Sequence, residues 1–284
     1  MSRYTSLRIG GPADAVARPA TLEVLLRLLQ LCRSRAIPIL PLGGGFNLLV
    51  RDGGFRGMAV QLGSLRELGL EPDGTLRVAA GVRHTSVSRF CTEEGRSGLE
   101  FAVGIPGTVG GWMRMNAGTR EREMKDVVET VSIADPSGGE VRELAPSQLR
   151  FRYRELELEP GAIVVGARLR TSEEDPERIR ARMQALLEER RATQPVDRLS
   201  CGSVFRNPEG DHAGRLIEAA GLKGTQSGGA EISKVHANFI VNRGGASASD
   251  VLRLIDLTRS EVARRFSVDL ETEVQIVGAD VGRA

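Results

Sequence analysis

Two glycine-rich stretches carry the residue types that phosphate-binding loops use. The first, PLGGGFNLLV at residues 41–50, has three successive glycines after a short apolar run. The second, GIPGTVGGWMRMNAG at residues 104–118, has five glycines and the only tryptophan of the chain. Glycine is favoured where φ is positive or where something approaches the backbone closely, and backbone N–H groups in such loops can bind phosphate. Together they predict a ligand with phosphates; a tight turn and a packed corner remain the alternatives.

The first glycine stretch does not match the common nucleotide-binding motifs. No Gly-Lys-Ser/Thr follows it, so it is not a Walker loop. It also lacks the GxGxxG spacing that opens a helix with an acidic residue about twenty residues further on. In the second stretch, Pro106 restricts φ between two glycines and Thr108 adds a hydroxyl. That stretch can therefore wrap a pyrophosphate or lie against a flat ring.

Three further segments contain polar side chains that could do chemistry. Arg154 in FRYRELEL could bind a carboxylate, although a surface arginine is the simpler interpretation. Ser203 in CGSVFRNP has no histidine near it in sequence and no GxSxG motif, so a nucleophile is not expected and a turn-capping serine is the alternative. The segment VDLETEVQIVG, residues 268–278, alternates apolar and polar residues. Its polar face either lines a cleft or is solvated.

The composition is that of a globular protein without a strongly charged surface. Of 284 residues, 40% are hydrophobic and 27% are charged, and the net charge is +2, so neither a nucleic-acid nor a membrane partner is expected. The three cysteines are far apart with no CxxC, and the three histidines are scattered, which predicts no disulfide framework and no metal site. The N-terminus lacks an apolar signal segment, which favours the cytoplasm.

Short strands alternate with occasional helices, which predicts an α+β fold. The predicted elements include a helix after Thr21, strands at 37–42, 58–62, 75–80, 162–169 and 238–242, helices at 86–94, after Pro176 and after Ser247 or Ser249, a hairpin around 135–139, and a final strand at 268–277. An acidic stretch at 172–177 marks the predicted domain boundary. It separates residues 1–173, with lobes of about 1–64 and 65–173, from a second α+β domain at 174–284.

The motifs together resemble those of a known family. The chain is similar to the UDP-N-acetylenolpyruvoylglucosamine reductase family in segments that occur in this order: RIGGPA, GGGFN, GLEFAVGIPGTVGG…MNAG, YR, RRATQP, GSVFRNP, HANFIVN and LETEV. The resemblance runs from about Tyr4 to Gly278. It implies a two-lobed FAD-binding domain of the vanillyl-alcohol-oxidase type and a C-terminal substrate domain. The short segment between Arg154 and Ser203 resembles the subclass without an extra tyrosine loop.

The resemblance also implies roles for individual residues. The implied catalytic residues are Arg154, Ser203 and Glu273. The implied FAD contacts are Leu42, Gly43, Gly44, Gly45, Phe46, Asn47, Leu48, Gly104, Ile105, Pro106, Gly107, Thr108, Gly110, Gly111, Asn116, Gly118 and Arg191. The implied substrate contacts are Tyr153, Arg206, Asn207 and His236. FAD is expected to be non-covalent because no His or Cys lies between Ile37 and Val60.

The implied reaction is the NADPH-dependent reduction of UDP-N-acetylenolpyruvoylglucosamine to UDP-N-acetylmuramate, in peptidoglycan precursor synthesis. Hydride addition to the enolpyruvyl double bond leaves negative charge that spreads into the adjacent carboxylate. Arg154 and Glu273 would orient and polarise that region, and Ser203 would supply the proton. Glu273 would need to be protonated or held by Arg154, because an ionised glutamate repels an enolate. A monomer is expected, with a small-molecule substrate as its partner.

Two other functions remain open at this point. One is an oxidase or dehydrogenase of the same flavin fold that acts on an alcohol or a sugar. The other is a catalytically inactive binder of FAD or of a UDP-sugar. The presence of Arg154, Ser203 and Glu273 together favours the reductase over the inactive binder.

Overall fold

The first helix begins at the residue that the sequence predicts. Thr21 is extended, and its side-chain oxygen accepts a hydrogen bond from the backbone N–H of Val24 at 3.3 Å. This satisfies one of the donors that a helix N-terminus leaves without an intrahelical partner. Leu25 and Leu29 are fully buried on one face of this helix, α1 (Leu22–Ser34), which is therefore amphipathic, although Leu22 in its first turn is exposed.

The computed structural model of the protein describes residues 1–119 and 121–282. Its α-helices are α1 (Leu22–Ser34), α2 (His84–Glu93), α3 (Val109–Arg114), α4 (Pro176–Thr193), α5 (Ala213–Ala219) and α6 (Ala248–Phe266). Short 3-10 helices cover Ser2–Tyr4, Glu100–Ala102, Met124–Asp126 and Pro146–Gln148. The strands are β1 (Ala13–Ala17), β2 (Ile39–Leu42), β3 (Leu48–Val50), β4 (Phe55–Gln61), β5 (Leu68–Leu70), β6 (Leu76–Ala79), β7 (Arg96–Ser97), β8 (Val128–Ala134), β9 (Val141–Leu144), β10 (Arg150–Arg152), β11 (Glu155–Glu157), β12 (Ile163–Leu169), β13 (Ser172–Glu173), β14 (Leu199–Ser203), β15 (Gln226–Ser227), β16 (Ala230–Ile232), β17 (Phe239–Asn242) and β18 (Gln275–Val277).

The chain divides into two compact units, each built from more than one segment. The larger unit contains Ala15–Gly44 and Gly57–Glu189. The smaller unit contains Met1–Asp14, Gly45–Arg56 and Arg190–Ala284. Met1–Asp14 and Gly45–Arg56 thus belong to the smaller unit, whereas the sequence predicts one cut at residue 174 that would leave them in the first domain. That division, as a statement about functional domains, stays a prediction.

The larger unit is organised around a five-stranded sheet in the order β5-β6-β12-β8-β9. The central strand β12 has both faces buried: Val164 joins the core that includes α3, whereas Ile163 and Val165 join the core that includes α1. Successive strand residues point to opposite faces, so one strand supplies both cores. The predicted hairpin is confirmed, because β8 and β9 pair antiparallel on either side of the turn.

The smaller unit contains a four-stranded antiparallel sheet in the order β14-β17-β16-β15. Helix α6 packs on β15, on β16 and on α5. Ser247 is the N-cap of α6 and its side chain accepts a hydrogen bond from the N–H of Asp250 at 3.1 Å, so of the two predicted caps Ser247 is the observed one. A separate parallel pair joins β3 to β18.

The predicted final strand is wrong over most of its length. Burial does alternate as predicted, with Leu270 and Val274 buried, but only Gln275–Val277 forms a strand. The preceding residues bond to the loop after β14: the N–H of Arg206 donates to the carbonyl of Glu271 at 2.9 Å. The segment then pairs with β3 instead. Because the segment bonds first to the loop after β14 and then to β3, residues 268–277 cannot form one continuous β-strand.

Candidate active site

The two glycine-rich stretches approach each other within the larger unit. A Cβ built on Gly43 would lie 2.5 Å from Oγ1 of Thr108. That distance is far below any real contact, so only glycine fits at position 43 beside this hydroxyl. Both stretches can be recognised in the sequence, but only the structure shows that they meet at Gly43 and Thr108.

The Thr108 hydroxyl is buried without a protein hydrogen-bond partner. The residue is 6% exposed, and its Oγ1 is one of the few buried polar side-chain atoms left unpaired in the described chain. Thr108 is the N-cap residue of α3, yet its side chain makes no capping hydrogen bond. Leaving a buried hydroxyl unpaired costs about 1–3 kcal/mol. A ligand oxygen at this point would remove that cost, so the residues fit a phosphate-bearing cofactor.

The second glycine stretch contains a helix, α3, although its glycines favour a loop. Gly104 and Gly107 have φ of 73° and 126°, and a Cβ at Gly107 would meet nothing within 4 Å. The chain then turns into α3. Trp112 is buried in the core, and its Nε1 donates to the carbonyl of Ile105 at 3.1 Å, which ties the loop to the helix.

Adjacent glycines in α3 have different surroundings. Gly110 is buried against Ala80, and a Cβ there would lie 2.8 Å from the Ala80 Cβ. Gly111 is exposed, and a Cβ there would meet only Oγ1 of Thr108, at 3.9 Å. Gly110 is thus explained by packing, whereas Gly111 leaves open space beside the unpaired hydroxyl.

Asn116 and Gly118 at the end of the second stretch serve the protein framework. Asn116 is fully buried with a φ of 40°. Its Nδ2 donates to Oε2 of Glu123 at 2.9 Å and to the carbonyl of Arg152 at 3.0 Å, while its Oδ1 accepts from the N–H of Lys125 at 3.0 Å. A Cβ at Gly118 would lie 2.6 Å from the Glu123 Cα. Both side-chain donors of Asn116 are therefore used within the protein.

Arg154 occupies a strained position in the two-residue turn between β10 and β11. Its φ of 59° is unusual for a residue with a side chain. Its guanidinium lies 4.9 Å from the centre of the Tyr153 ring, and its Nη1 lies 3.4 Å from Oε1 of Glu123. Backbone strain of this kind often occurs at functional sites. Here it presents the Arg154 side chain from the tip of a hairpin.

Ser203 follows a bulge at the end of β14. In the antiparallel pairing with β17, Ser200 lies opposite Val241 and Ser203 lies opposite Phe239, so β14 has one extra residue between them. Gly202 has a φ of 79°, which a bulge of this kind requires. The bulge changes the face of the strand from which Ser203 projects. In the sequence, the glycine of CGSVF is the residue that indicates this bulge.

The backbone of Glu273 is hydrogen-bonded to Val204, the residue after Ser203. The carbonyl of Val204 accepts hydrogen bonds from the N–H groups of Glu273 at 2.8 Å and Val274 at 3.3 Å. Asn47, from the first glycine stretch, donates through Nδ2 to the carbonyl of Glu273 at 3.0 Å. The smaller unit thus brings Ser203 and Glu273 together, whereas Arg154 belongs to the larger unit.

Asn238 binds the chain two residues after Ser203, a positioning role that its sequence does not indicate. It is buried; its Oδ1 accepts from the N–H of Phe205 at 2.9 Å, and its Nδ2 donates to the carbonyl of Phe205 at 2.8 Å. Its own carbonyl accepts from the N–H of Val204 at 2.9 Å. The side chain of Asn238 therefore pairs with both backbone groups of Phe205, as a neighbouring strand would. The motif HANFIVN contains Asn238, but nothing in the motif indicates that Phe205 is its partner.

The predicted substrate contacts in the smaller unit differ in surroundings. Arg206 is half-buried and Asn207 is exposed, with its Oδ1 accepting from the N–H of Ala213 at 3.1 Å. His236 stacks edge-on against Phe239, and its Nδ1 accepts from the N–H of Asn238 at 3.2 Å. Burial lowers the pKa of His236, and the charge of nearby Lys223 lowers it further. His236 is therefore a neutral donor through Nε2 near neutral pH.

The remaining predicted FAD contacts fall into core and surface groups. Leu42 and Leu48 are buried, so their side chains belong to the core. Gly45 packs against the N-terminal segment: a Cβ there would lie 2.1 Å from the carbonyl oxygen of Tyr4. Gly44, Phe46 and Arg191 are exposed, and Ile105 and Pro106 are half-buried. The part of each residue in FAD binding stays a prediction.

Other kinds of site find no support in the described residues. Across residues 1–119 and 121–282, His, Cys, Asp and Glu side chains form no group of three or more that could hold a metal ion. None of the described helices has the length and apolar character that a membrane crossing needs. Burial raises the pKa of the Cys201 thiol to about 12, so this neighbour of Ser203 is not a thiolate nucleophile.

Comparison with known proteins agrees with this geometry. An FAD-binding domain family matches residues 13–145, which include both glycine stretches. The chain is thus a flavoprotein with an α+β fold, and the predicted fold class is confirmed. The family described as "UDP-N-acetylenolpyruvoylglucosamine reductase, C-terminal domain" matches residues 194–277, which include Ser203 and Glu273.

Similarity to whole proteins identifies the family. The chain is 46% identical to the UDP-N-acetylenolpyruvoylglucosamine reductase of Geotalea uraniireducens, over 99% of this chain and 93% of the relative. It is 44% identical to that of Syntrophus aciditrophicus, over 99% and 91%. The crystal structure of the Thermus caldophilus reductase (MurB) matches with a TM-score of 0.84 at 38% identity, over 97% of this chain and 96% of that one. The chain belongs to the UDP-N-acetylenolpyruvoylglucosamine reductase family, as its motifs predicted.

Proposed function

We propose that this protein reduces UDP-N-acetylenolpyruvoylglucosamine to UDP-N-acetylmuramate with NADPH, in peptidoglycan precursor synthesis. The observation that carries the proposal is the hydrogen bond from the N–H of Glu273 to the carbonyl of Val204 inside the matched C-terminal domain, since it places Glu273 beside the residue that follows Ser203. Non-covalent FAD, a cytoplasmic location and a monomeric state are parts of the same proposal that come from the sequence.

The residues of the larger unit are proposed to hold the cofactor. Thr108 would donate its unpaired hydroxyl to a phosphate oxygen, and Gly43, Gly107 and Gly111 would allow FAD to approach the backbone. When bound, FAD supplies hydride transfer from NADPH to the enolpyruvyl group. Unlike a Walker loop, these groups include no lysine.

The chemistry assigned to the protein's own residues is charge stabilisation and proton transfer. Hydride addition to the terminal alkene carbon leaves an electron pair on the carbon that bears the carboxylate. Arg154 would bind that carboxylate, where its fixed positive charge stabilises the developing negative charge. Glu273, carrying a proton at this step, would orient the same region without repelling it.

Ser203 is proposed to complete the reduction. Its hydroxyl would protonate the carbanionic carbon, and solvent would then restore the serine proton. The balance is one NADPH, one proton and one enolpyruvyl ether giving NADP⁺ and one saturated lactyl ether.

An anaerobic single turnover tests the proposed function. The FAD-loaded protein is reduced with one equivalent of NADPH and mixed with UDP-N-acetylenolpyruvoylglucosamine, and flavin absorbance and product mass are followed. We expect rapid flavin reoxidation and a product heavier by two hydrogen atoms. UDP-N-acetylglucosamine, which lacks the double bond, is the control and should leave the flavin reduced. Slow reoxidation by both compounds alike would contradict the proposal.

A further inference from the structure

The Glu123 carboxylate is bound by residues from three places in the larger unit. Its Oε2 accepts from Nδ2 of Asn116 at 2.9 Å and from Nζ of Lys125 at 2.9 Å. Its Oε1 faces Nη1 of Arg154 at 3.4 Å. The side chains of Glu123 and Arg154 are only 14% and 17% exposed. This carboxylate is therefore shielded from solvent and its two oxygens have separate partners.

Asn116 fixes both ends of this arrangement. The same Nδ2 that binds Glu123 also donates to the carbonyl of Arg152 at 3.0 Å, at the end of β10 and two residues before Arg154. The turn that presents Arg154 and the carboxylate that faces it are thus tied to one buried amide. The Tyr153 ring, 4.9 Å from the guanidinium, restricts the side chain further.

We infer that Glu123 is a positioning residue for Arg154 in the reductase reaction. A guanidinium has several N–H donors in a rigid fork. Glu123 binds one donor, which turns the remaining donors in a fixed direction and lowers the entropy lost when they bind an anion. The inference rests on the proposed function, because it assumes that Arg154 binds the enolpyruvyl carboxylate.

Two substitutions of Glu123 distinguish the positioning of the Arg154 guanidinium from simple support of the fold. In Glu123→Gln, the amide can turn its oxygen either to Arg154 or to Asn116 and Lys125, and its NH₂ then meets donors on the other side. Glu123→Asp keeps the charge but is shorter by one methylene. We therefore expect the Gln variant to lose the direction of Arg154 and the Asp variant to retain part of it.

The test is a double-mutant cycle with Arg154→Lys in the FAD-loaded protein. We expect Glu123→Gln to keep flavin content and the rate of reduction by NADPH, and to lower kcat/KM for reoxidation by the enolpyruvyl substrate about tenfold, within the range of couplings between residues in contact. Glu123→Asp should recover part of the loss. In the Arg154→Lys background, Glu123→Gln should cost less than about twofold, because the partner through which it acts is already changed.

Glu121→Gln is the matched control, because Glu121 is exposed in the same segment and should leave every rate unchanged. Reoxidation at the wild-type rate per bound flavin in Glu123→Gln would overturn the inference, even if stability falls. An equal loss in both Arg154 backgrounds would also overturn it. If Glu123→Gln does not fold, the cycle is run with Glu123→Asp under the same criteria.

A crystal structure of the Glu123→Gln holoprotein separates this inference from the proposed function. We expect the Arg154 guanidinium to leave its wild-type direction. An unchanged guanidinium would contradict the positioning role, whatever the enzyme reduces. Failure of the wild-type flavin to react with the enolpyruvyl substrate would instead contradict the proposed function.

Discussion

The backbone N–H of Glu273 donates a hydrogen bond to the carbonyl oxygen of Val204 at 2.8 Å, so Glu273 is bonded to the residue that follows Ser203. Asn238 holds the neighbouring Phe205 by both its N–H and its carbonyl. These bonds connect distant parts of the sequence at one point in the smaller unit. The position of Ser203 should therefore depend on Asn238.

The first prediction concerns Asn238→Ala. The change removes two hydrogen bonds and leaves buried groups of Phe205 unpaired, so we expect the free energy of unfolding to fall by about 2 kcal/mol. We also expect slower flavin reoxidation by the enolpyruvyl substrate in the protein that remains folded. Urea unfolding and stopped-flow absorbance measure the two effects.

Asn242→Ala is the matched control for Asn238. Asn242 lies in β17 and donates to the carbonyl of Leu7 at 2.9 Å, away from Phe205. It should lower stability and leave reoxidation per folded molecule unchanged. Equal effects of the two variants on reoxidation would show that Asn238 has no special relation to Ser203.

The second prediction separates adjacent glycines in α3. Gly111→Ala places a methyl group in open space beside Thr108 and should raise the stability of the apoprotein by about 0.5 kcal/mol through helix propensity. If FAD packs there, the same methyl group should weaken FAD binding. Gly110→Ala should instead lower stability, because its Cβ would meet Ala80 at 2.8 Å.

Flavin fluorescence titration of the apoprotein, together with thermal unfolding, checks the glycine prediction. We expect Gly111→Ala to gain stability and to lose FAD affinity about tenfold, which corresponds to about 1.4 kcal/mol. Wild-type affinity in Gly111→Ala would show that the exposed side of α3 does not face the cofactor.

The third prediction concerns pH and the start of α6. Asp52 accepts hydrogen bonds from the N–H groups of Ala248 at 2.7 Å and Ser249 at 2.9 Å. Burial acts to raise its pKa, but the bonds from Ser249 and Ala248 outweigh burial and hold the pKa below its ordinary value. Asp52→Ala should therefore cost about 1–2 kcal/mol at neutral pH, as other helix caps do.

The sign of the pH effect follows from the lowered pKa. The unfolded chain takes up the proton first as pH falls, so the stabilisation by Asp52 is complete above its unfolded pKa of about 4 and is lost as pH falls through the lower folded pKa. Urea unfolding of wild type and Asp52→Ala should give a difference at pH 7 that shrinks towards pH 3. Asp280→Ala, which breaks only a partly exposed pair with Arg51, should cost less than about 1 kcal/mol. A difference that grew on acidification would contradict this assignment.

Local features of the fold were predictable from the sequence, and features that depend on distant partners were not. Thr21 and Ser247 cap helices because a side chain bonds to a backbone three residues away. The strand predicted at 268–277 failed because its pairing changes from the Val204 loop to β3. Alternation reports which side chains are buried but not which strand lies alongside.

The same distinction applies to the candidate site. The sequence indicated Ser203 and Glu273 through family motifs, but their bond through Val204 joins residues that are far apart in the chain. Gly110 and Gly111 are identical in sequence terms and are distinguished only by Ala80. Glu123 carries no pattern of its own, because Arg154, 31 residues further along the chain, becomes its neighbour only in the folded protein.

The most direct test of the account is the effect of Ser203→Ala on the two half-reactions. Reduction of the flavin by NADPH does not need the serine proton, whereas completion of the enolpyruvyl reduction does. Stopped-flow flavin absorbance should therefore show reduction by NADPH close to wild type and reoxidation slower by about two to four orders of magnitude, as for other lost general acids. FAD content should be unchanged. Equal slowing of both steps, or wild-type rates in both, would contradict the assignment of Ser203 as the proton donor.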